Sequence, residues 1–316
     1  MLSRVAESVL WMNRYIERLE NNARFLDVNF NLALDLPPEL KQQWKPLIQI
    51  SGAEEKFEEL YSEYSKANVI SFICFDERNS SSILSCITHA RENARALRSS
   101  LTKEIWEQIN SMYHTVLHYK GQDATLRDDP RAFVDKIRQA SQLYYGINDN
   151  TVSQNEAWHF GKVGSYLERA DNISRILDVK YHILLPSVKS VGTTLDWIQW
   201  VALLKSASAF NMYSRKYGEV KPYHVAEFLV LDPEFPRSIY YCLEKANQSL
   251  HAISENFKSG YSNQAEKLIG MLISEISYSG MEDIFKKGLH EFLDLTQLKI
   301  IEVGNAIHET YFSLKS

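Results

Sequence analysis

Residues 15–28 read YIERLENNARFLDV and residues 166–179 read YLERADNISRILDV. An offset of 151 aligns the two without gaps, and eight of the fourteen positions are identical: Tyr15/Tyr166, Glu17/Glu168, Arg18/Arg169, Asn21/Asn172, Arg24/Arg175, Leu26/Leu177, Asp27/Asp178 and Val28/Val179. Identity at polar positions separates this from a chance match between two amphipathic helices. A second match lies downstream at an offset of 156, where Phe75-Asp76, Ser82-Ile83 and Cys86 answer Leu231-Asp232, Ser238-Ile239 and Cys242. Two matches in the same order predict a duplicated unit, with repeats of approximately 1–150 and 151–316 inside one domain spanning 1–316.

At about 100° per residue, Glu17, Asn21 and Arg24 fall on one side of a helix, with Arg14 beside them. Apolar residues cover most of the remaining circumference. That is the pattern of a central helix whose polar side chains lie in an interior layer. Buried charges need partners, so Glu17 and Arg24 are expected to pair within a network. Glu168, Asn172 and Arg175 repeat the geometry, and a pseudo-two-fold axis would set the two polar faces opposite each other. Glu17, Arg24, Glu168 and Arg175 are then expected to be mostly buried and mutually paired, directly or through neighbours. Arginines in such a layer hold carboxylate or phosphate in a bidentate way, and glutamates exchange protons or bind metals. The competing reading is a salt-bridge layer that fixes the register of the helices; Glu20 and Arg24 stand at i, i+4, a spacing common on helix surfaces.

Helical periodicity continues through the chain. It predicts helices over Ser3–Leu34, ending at Pro37-Pro38, then from Glu54, and from Ser80 or Ser81 as cap to Ser99. Others follow over Thr102–Tyr119, Arg131–Gly146, Ser153–Leu185, Thr194–Tyr217, Val220–Leu229, Arg237–Lys258, Ala265–Tyr278 and Glu282–Phe312. Lys120–Pro130 reads as a loop, Ile147–Thr151 as a separator, and Asn68–Phe75 as either a strand or a buried helical turn. Only 12 Gly and 8 Pro in 316 residues agree with long helices. The fold class expected is all-α, a multi-helix bundle of two pseudo-symmetric duplicated halves.

Charge and composition narrow the function. A net charge of −5 without a basic tract speaks against a dedicated nucleic-acid binder. Apolar runs are too short for a membrane span, and Met1–Val9 lacks the apolar segment of a secretory signal. Three cysteines without CxxC spacing read as reduced thiols, so the location expected is cytoplasmic. His114 and His118 have zinc-like i, i+4 spacing but lack the adjoining glutamate of HExxH, and they read as a surface or core pair. No phosphate-cradling loop, nucleophile elbow or metal motif appears, so neither cofactor nor metal is expected.

The sequence resembles the alpha-E family. The resemblance rests on Leu2-Ser3-Arg4, Tyr15-x-Glu17-Arg18 with Glu20-Asn21, Glu92-Asn93-Ala94-Arg95, Tyr166-Leu167-Glu168-Arg169-Ala170-Asp171 and Pro236-Arg237-Ser238-Ile239, and it covers essentially the whole chain. Asn13 stands where the family has glycine, between Trp11 and Arg14. The resemblance implies a working context with circularly permuted ATP-grasp proteins and transglutaminase-like proteins, and chemistry on amide bonds in peptides. Two functions follow as expectations. One is a partner or scaffold for an ATP-grasp ligase. The other is an enzyme of the same pathway that binds or processes a carboxylate or phosphate substrate in the Glu-Arg-Asn cleft. For the second, Glu17 and Glu168 are the catalytic candidates. Arg18, Asn21, Arg24, Glu92, Asn93, Arg95, Arg169, Asn172 and Arg175 are the ligand-binding candidates. Whether the chain is an enzyme stays open at this point.

Overall fold

The computed structural model describes residues 2–35, 44–121, 130–182, 193–256 and 260–313. Among them there are fifteen α-helices and no strand. The helices are α1 (Ser3–Asp35), α2 (Lys45–Ser51), α3 (Glu54–Leu60), α4 (Lys66–Cys74), α5 (Ile83–Ala96), α6 (Lys103–Lys120), α7 (Arg131–Thr151) and α8 (Glu156–His182). They continue with α9 (Thr194–Ser206), α10 (Phe210–Tyr217), α11 (Pro222–Leu231), α12 (Ile239–Ile253), α13 (Gln264–Tyr278), α14 (Met281–Lys287) and α15 (Leu289–Ile307), and the last ends in a π-helical turn, His308–Phe312. None is long and apolar enough to cross a membrane.

The chain divides into two compact units. The N-unit is Trp11–Ser153, and the C-unit joins residues 1–10 to Gln154–Ser316. Helix α1 therefore starts in the C-unit and continues into the N-unit. In the N-unit α5, α6 and α7 pack in sequence, with α2, α3 and α4 forming a small cluster beside them. In the C-unit α8 is the central helix, packed against α12 and α15, with α13 between the latter two. Side chains all round α8 are buried, among them Phe160, Val163, Leu167, Ile173 and Leu177; the same is true of α1 at Met12, Ile16, Leu19, Ala23 and Leu26. These are the two helices that carry the repeated stretch, and their all-round apolar surface is what makes them central.

Caps explain several helix starts. Ser82 accepts from Ser85 N at 3.1 Å, Ser238 from Tyr241 N at 3.0 Å and Thr102 from Ile105 N at 3.4 Å. The α5 cap is thus Ser82 and not Ser80 or Ser81, because Asn79 holds the preceding turn by accepting from Ser81 N. Asn68–Phe75 is helical, as α4, with Val69, Ile70, Phe72 and Ile73 buried. Ile147–Thr151 continues α7 and is not a separator; the break falls at Val152, which is extended. The single helix expected over 194–217 is divided at Ser208, whose φ of 53° leaves the helical region. The one expected over 282–312 is divided at Gly288, where φ is 102° and an added Cβ would lie 1.8 Å from Glu291 Oε2. Only glycine adopts that backbone without strain. The prolines at 37, 38 and 186 and most of the 120–130 segment lie outside the described residues.

Candidate functional site

The two repeated stretches place their polar residues in closely related ways. In the N-unit, Glu17 and Glu20 are completely buried and Arg24 is nearly so. The guanidinium of Arg24 donates Nε to Glu20 Oε1 at 2.9 Å, and Nη2 donates to the same oxygen. Tyr145, on α7, donates its hydroxyl to Glu17 Oε2 at 2.7 Å and lies 3.0 Å from Glu20 Oε2. The network expected around Glu17 and Arg24 exists, but Arg24 reaches Glu20, and Tyr145 connects Glu17 to that pair. Beside it Tyr144 donates to Asn13 Oδ1 at 3.0 Å, and burial pushes the Tyr144 phenol well up.

In the C-unit the pair corresponding to Glu20–Arg24 is Asp171–Arg175, with Nε to Oδ2 at 2.9 Å and Nη2 to Oδ1 at 3.3 Å. Glu168 is buried. Arg175 is not: its side chain keeps 30 % of its exposure, and Asn172 is likewise half-buried. Three of the four charged residues are thus buried, and the fourth, Arg175, is half-buried and paired with Asp171.

The arginine of each Glu-Arg pair fastens a loop. Arg18 Nη1 lies 3.5 Å from Ser81 Oγ, and Asn22 donates to Ser81 O at 2.7 Å. Arg169 donates to Pro236 O at 3.3 Å. Both contacts fall just before a Ser-capped helix, α5 or α12, and each loop is braced by an aspartate. Asp76 accepts from Tyr61 Oη, Arg78 N and Arg78 Nε, and the Arg78 guanidinium holds its carboxyl down at about 2. Asp232 accepts from Glu234 N, Phe235 N and Lys216 Nζ; burial works against its charge, and these donors bring its carboxyl below the ordinary value. The buried thiols of Cys86 and Cys242 point at the carbonyls of Ser80 and Pro236. Tyr15 packs on His89 of α5, and Tyr166 on Tyr241 of α12.

The remaining candidates lie on α1 and α5. Asn21 is buried within α1. Glu92 and Arg95 are exposed on α5, 3.4 Å apart, and Asn93 is half-buried there. Arg91, in the same run, donates to Asn110 Oδ1 and stacks on Tyr113, which ties α5 to α6. His114 and His118 are exposed. A groove of about 860 Å³ on the C-unit, lined by His251, Met271, Glu275 and Lys299 among others, includes none of the candidates. Asp178, His290 and Asp294 lie close enough to surround a cation. The imidazole, however, turns Nδ1 to Asp178 and Nε2 to Asp294, which is the arrangement of a ring held between two carboxylates. Tyr145 is a member of the network that the sequence does not single out; Asp171 enters the sequence reading only within the stretch Tyr166–Asp171 that carries the family resemblance.

A family model described as a predicted alpha-helical domain with a conserved ER motif matches residues 1–312. The chain belongs to the Alpha-E family. Curated relatives include an uncharacterized protein of Mycobacterium bovis and one of Mycobacterium tuberculosis, each 21% identical to this Alpha-E chain over 302 residues. The match takes in 89% of the chain but 33% of either relative, so the chain spans about a third of their length. No solved structure matches it.

Proposed function

We propose that this Alpha-E chain is a partner or scaffold for an ATP-grasp ligase in peptide or amide-bond metabolism, working in the cytoplasm, and that its Glu-Arg motifs are internal fastenings. The observation that carries this is the use of the motif side chains. Arg24 is engaged by Glu20, Glu17 by Tyr145, Arg18 and Asn22 by the Ser81 loop, and Arg169 by the Pro236 carbonyl. Side chains committed to such contacts position helices and loops; using them on a substrate would undo the contacts. Relatives in which the matching part is a third of a longer chain support a module that works beside other domains. The transglutaminase-like protein is the second expected partner. The chain is read as one domain of two duplicated, pseudo-symmetric halves. Support for that comes from paired features in the two units: Ser82 and Ser238 caps, Cys86 and Cys242 thiols, Glu20–Arg24 and Asp171–Arg175.

The competing reading is an enzyme of the same pathway, and the burial of the Glu17 and Glu168 carboxylates favours it. A mixing experiment separates the two. The scaffold reading expects co-purification with the ATP-grasp partner and product formation that survives Glu168→Gln in a folded protein. Loss of product with binding intact assigns the chemistry to this chain. No association at micromolar concentration and moderate salt removes both.

A further inference from the structure

Asp27 and Asp178 occupy the same position of the repeated stretch, and each is tied to a cationic side chain on a later helix. Asp27 takes Nη1 of Arg138, 111 residues on, and the same nitrogen lies 3.5 Å from Asp135. Asp178 takes Nδ1 of His290, 112 residues on, at 2.6 Å, and Nε2 lies 3.6 Å from Asp294. The settings match closely: the aspartate side chains are 24% and 17% exposed, and the cationic ones 27% and 31%. Each unit thus joins a central helix to a neighbour, α1 to α7 and α8 to α15, through one cation between two carboxylates. What differs is the cation. A guanidinium keeps its charge at every working pH, and an imidazolium does not.

We propose that His290 is a proton-operated fastening between α8 and α15, which the N-unit, held by Arg138, lacks. Protonated, the ring donates to Asp178 through Nδ1 while Nε2–H is directed at Asp294. Neutral, it has one N–H and one lone pair, so the ring donates to only one of the two carboxylates and turns a lone pair to the other. The charged groups acting on the ring are Asp178 from α8, and Asp294 and Glu291 from its own helix. On the other helices packed against α15, Glu275 of α13 is engaged by Lys299, and Lys286 and Lys287 of α14 are exposed. The hydrogen bond to Asp178 is the largest cause raising His290 above its ordinary value of 6.5, and burial opposes it. The sign follows. A raised folded-state value means that the stabilisation is complete below the ordinary value and is lost as pH climbs through the raised one.

Hydrogen exchange on the full chain tests this, with each pH corrected for the intrinsic exchange rate. Between about pH 6 and pH 8 the protection of α15 and the facing part of α8 should fall, by up to about five-fold for a half-buried pair. Protection of α1 and α7 around Asp27 and Arg138 should hold. His290→Arg should abolish the dependence, and Arg138→His should install it in the N-unit. A dependence that persists in His290→Arg overturns the proposal. So does a His290 ring that titrates, by NMR, at or below the ordinary histidine value, a measurement on the unaltered chain that decides even where a variant fails to fold. In Asp178→Asn the ring should titrate lower than in the unaltered chain, and an unchanged value would equally refute it.

Discussion

Arg24→Ala tests the buried layer most directly. The pair it breaks has side chains 7% and 0% exposed, so water cannot take over the role of the guanidinium. Glu20 also accepts from Tyr145, which it shares with Glu17. Removing one partner from a pair buried to this degree costs about 3–5 kcal/mol. The corresponding Arg175→Ala removes a guanidinium from a pair 30% and 18% exposed, where solvent screens the loss and about 1 kcal/mol is the appropriate scale. Urea unfolding followed by circular dichroism measures both. With a slope of about 2–3 kcal/mol/M, Arg24→Ala should lower the N-unit midpoint by roughly 1–2 M, and Arg175→Ala should lower that of the C-unit by less than about 0.5 M. Adding Glu20→Gln to Arg24→Ala should recover part of the loss, since a buried negative charge is then gone. Equal costs for the two alanine variants, or no recovery in the double variant, would refute the reasoning.

Tyr145→Phe removes the hydroxyl between Glu17 and Glu20 and should cost about 1–3 kcal/mol, read from the same urea transition. Ser82→Ala and Ser238→Ala each delete a helix cap and should cost about 1 kcal/mol, with exchange rising in the first turn of α5 or α12. Burial works against the charge of Glu266, yet hydrogen bonds from Ser254, Ser262 and Asn256 outweigh it and hold its carboxyl at about 2. Its contribution is therefore present above the ordinary value of 4.5 and lost as pH falls toward about 2, and an acid titration of Glu266→Gln should show a shallower loss of stability over that range. The Cys74 thiol, completely buried and pushed up by desolvation, should resist a thiol reagent until the chain is unfolded.

Much of the architecture was legible because the deciding signals were local. Apolar residues around most of the circumference of the 15–28 helix mark it as central, and Thr102 announces its cap by position. The charged layer was half legible. Its residues are visible, but its wiring depends on reach. Arg24 lies one turn from Glu20 and two turns, about 10.5 Å of helix rise, from Glu17, so a guanidinium meets Glu20 first. Tyr145 lies 128 positions from Glu17 and carries no mark of its own, so only folding brings it there. The divisions at Ser208 and Gly288 escaped because apolar periodicity runs on across them. At Gly288 a positive φ decides, and periodicity does not encode φ.

The division of α1 bears on the order in which the chain assembles during synthesis. Its first turns belong with residues 154–316, from which about 140 positions separate them, whereas the rest of the helix belongs with the residues that follow at once. All the residues of the N-unit have been made once residue 153 is added. The leading turns must then wait, as an apolar-faced stub carrying Ala6, Val9 and Leu10, until the C-unit helices emerge. In topological terms the N-unit is an insertion inside the C-unit. A cut at 153/154 would therefore separate the C-unit from its first ten residues, with buried Ala6, Val9 and Leu10 among them.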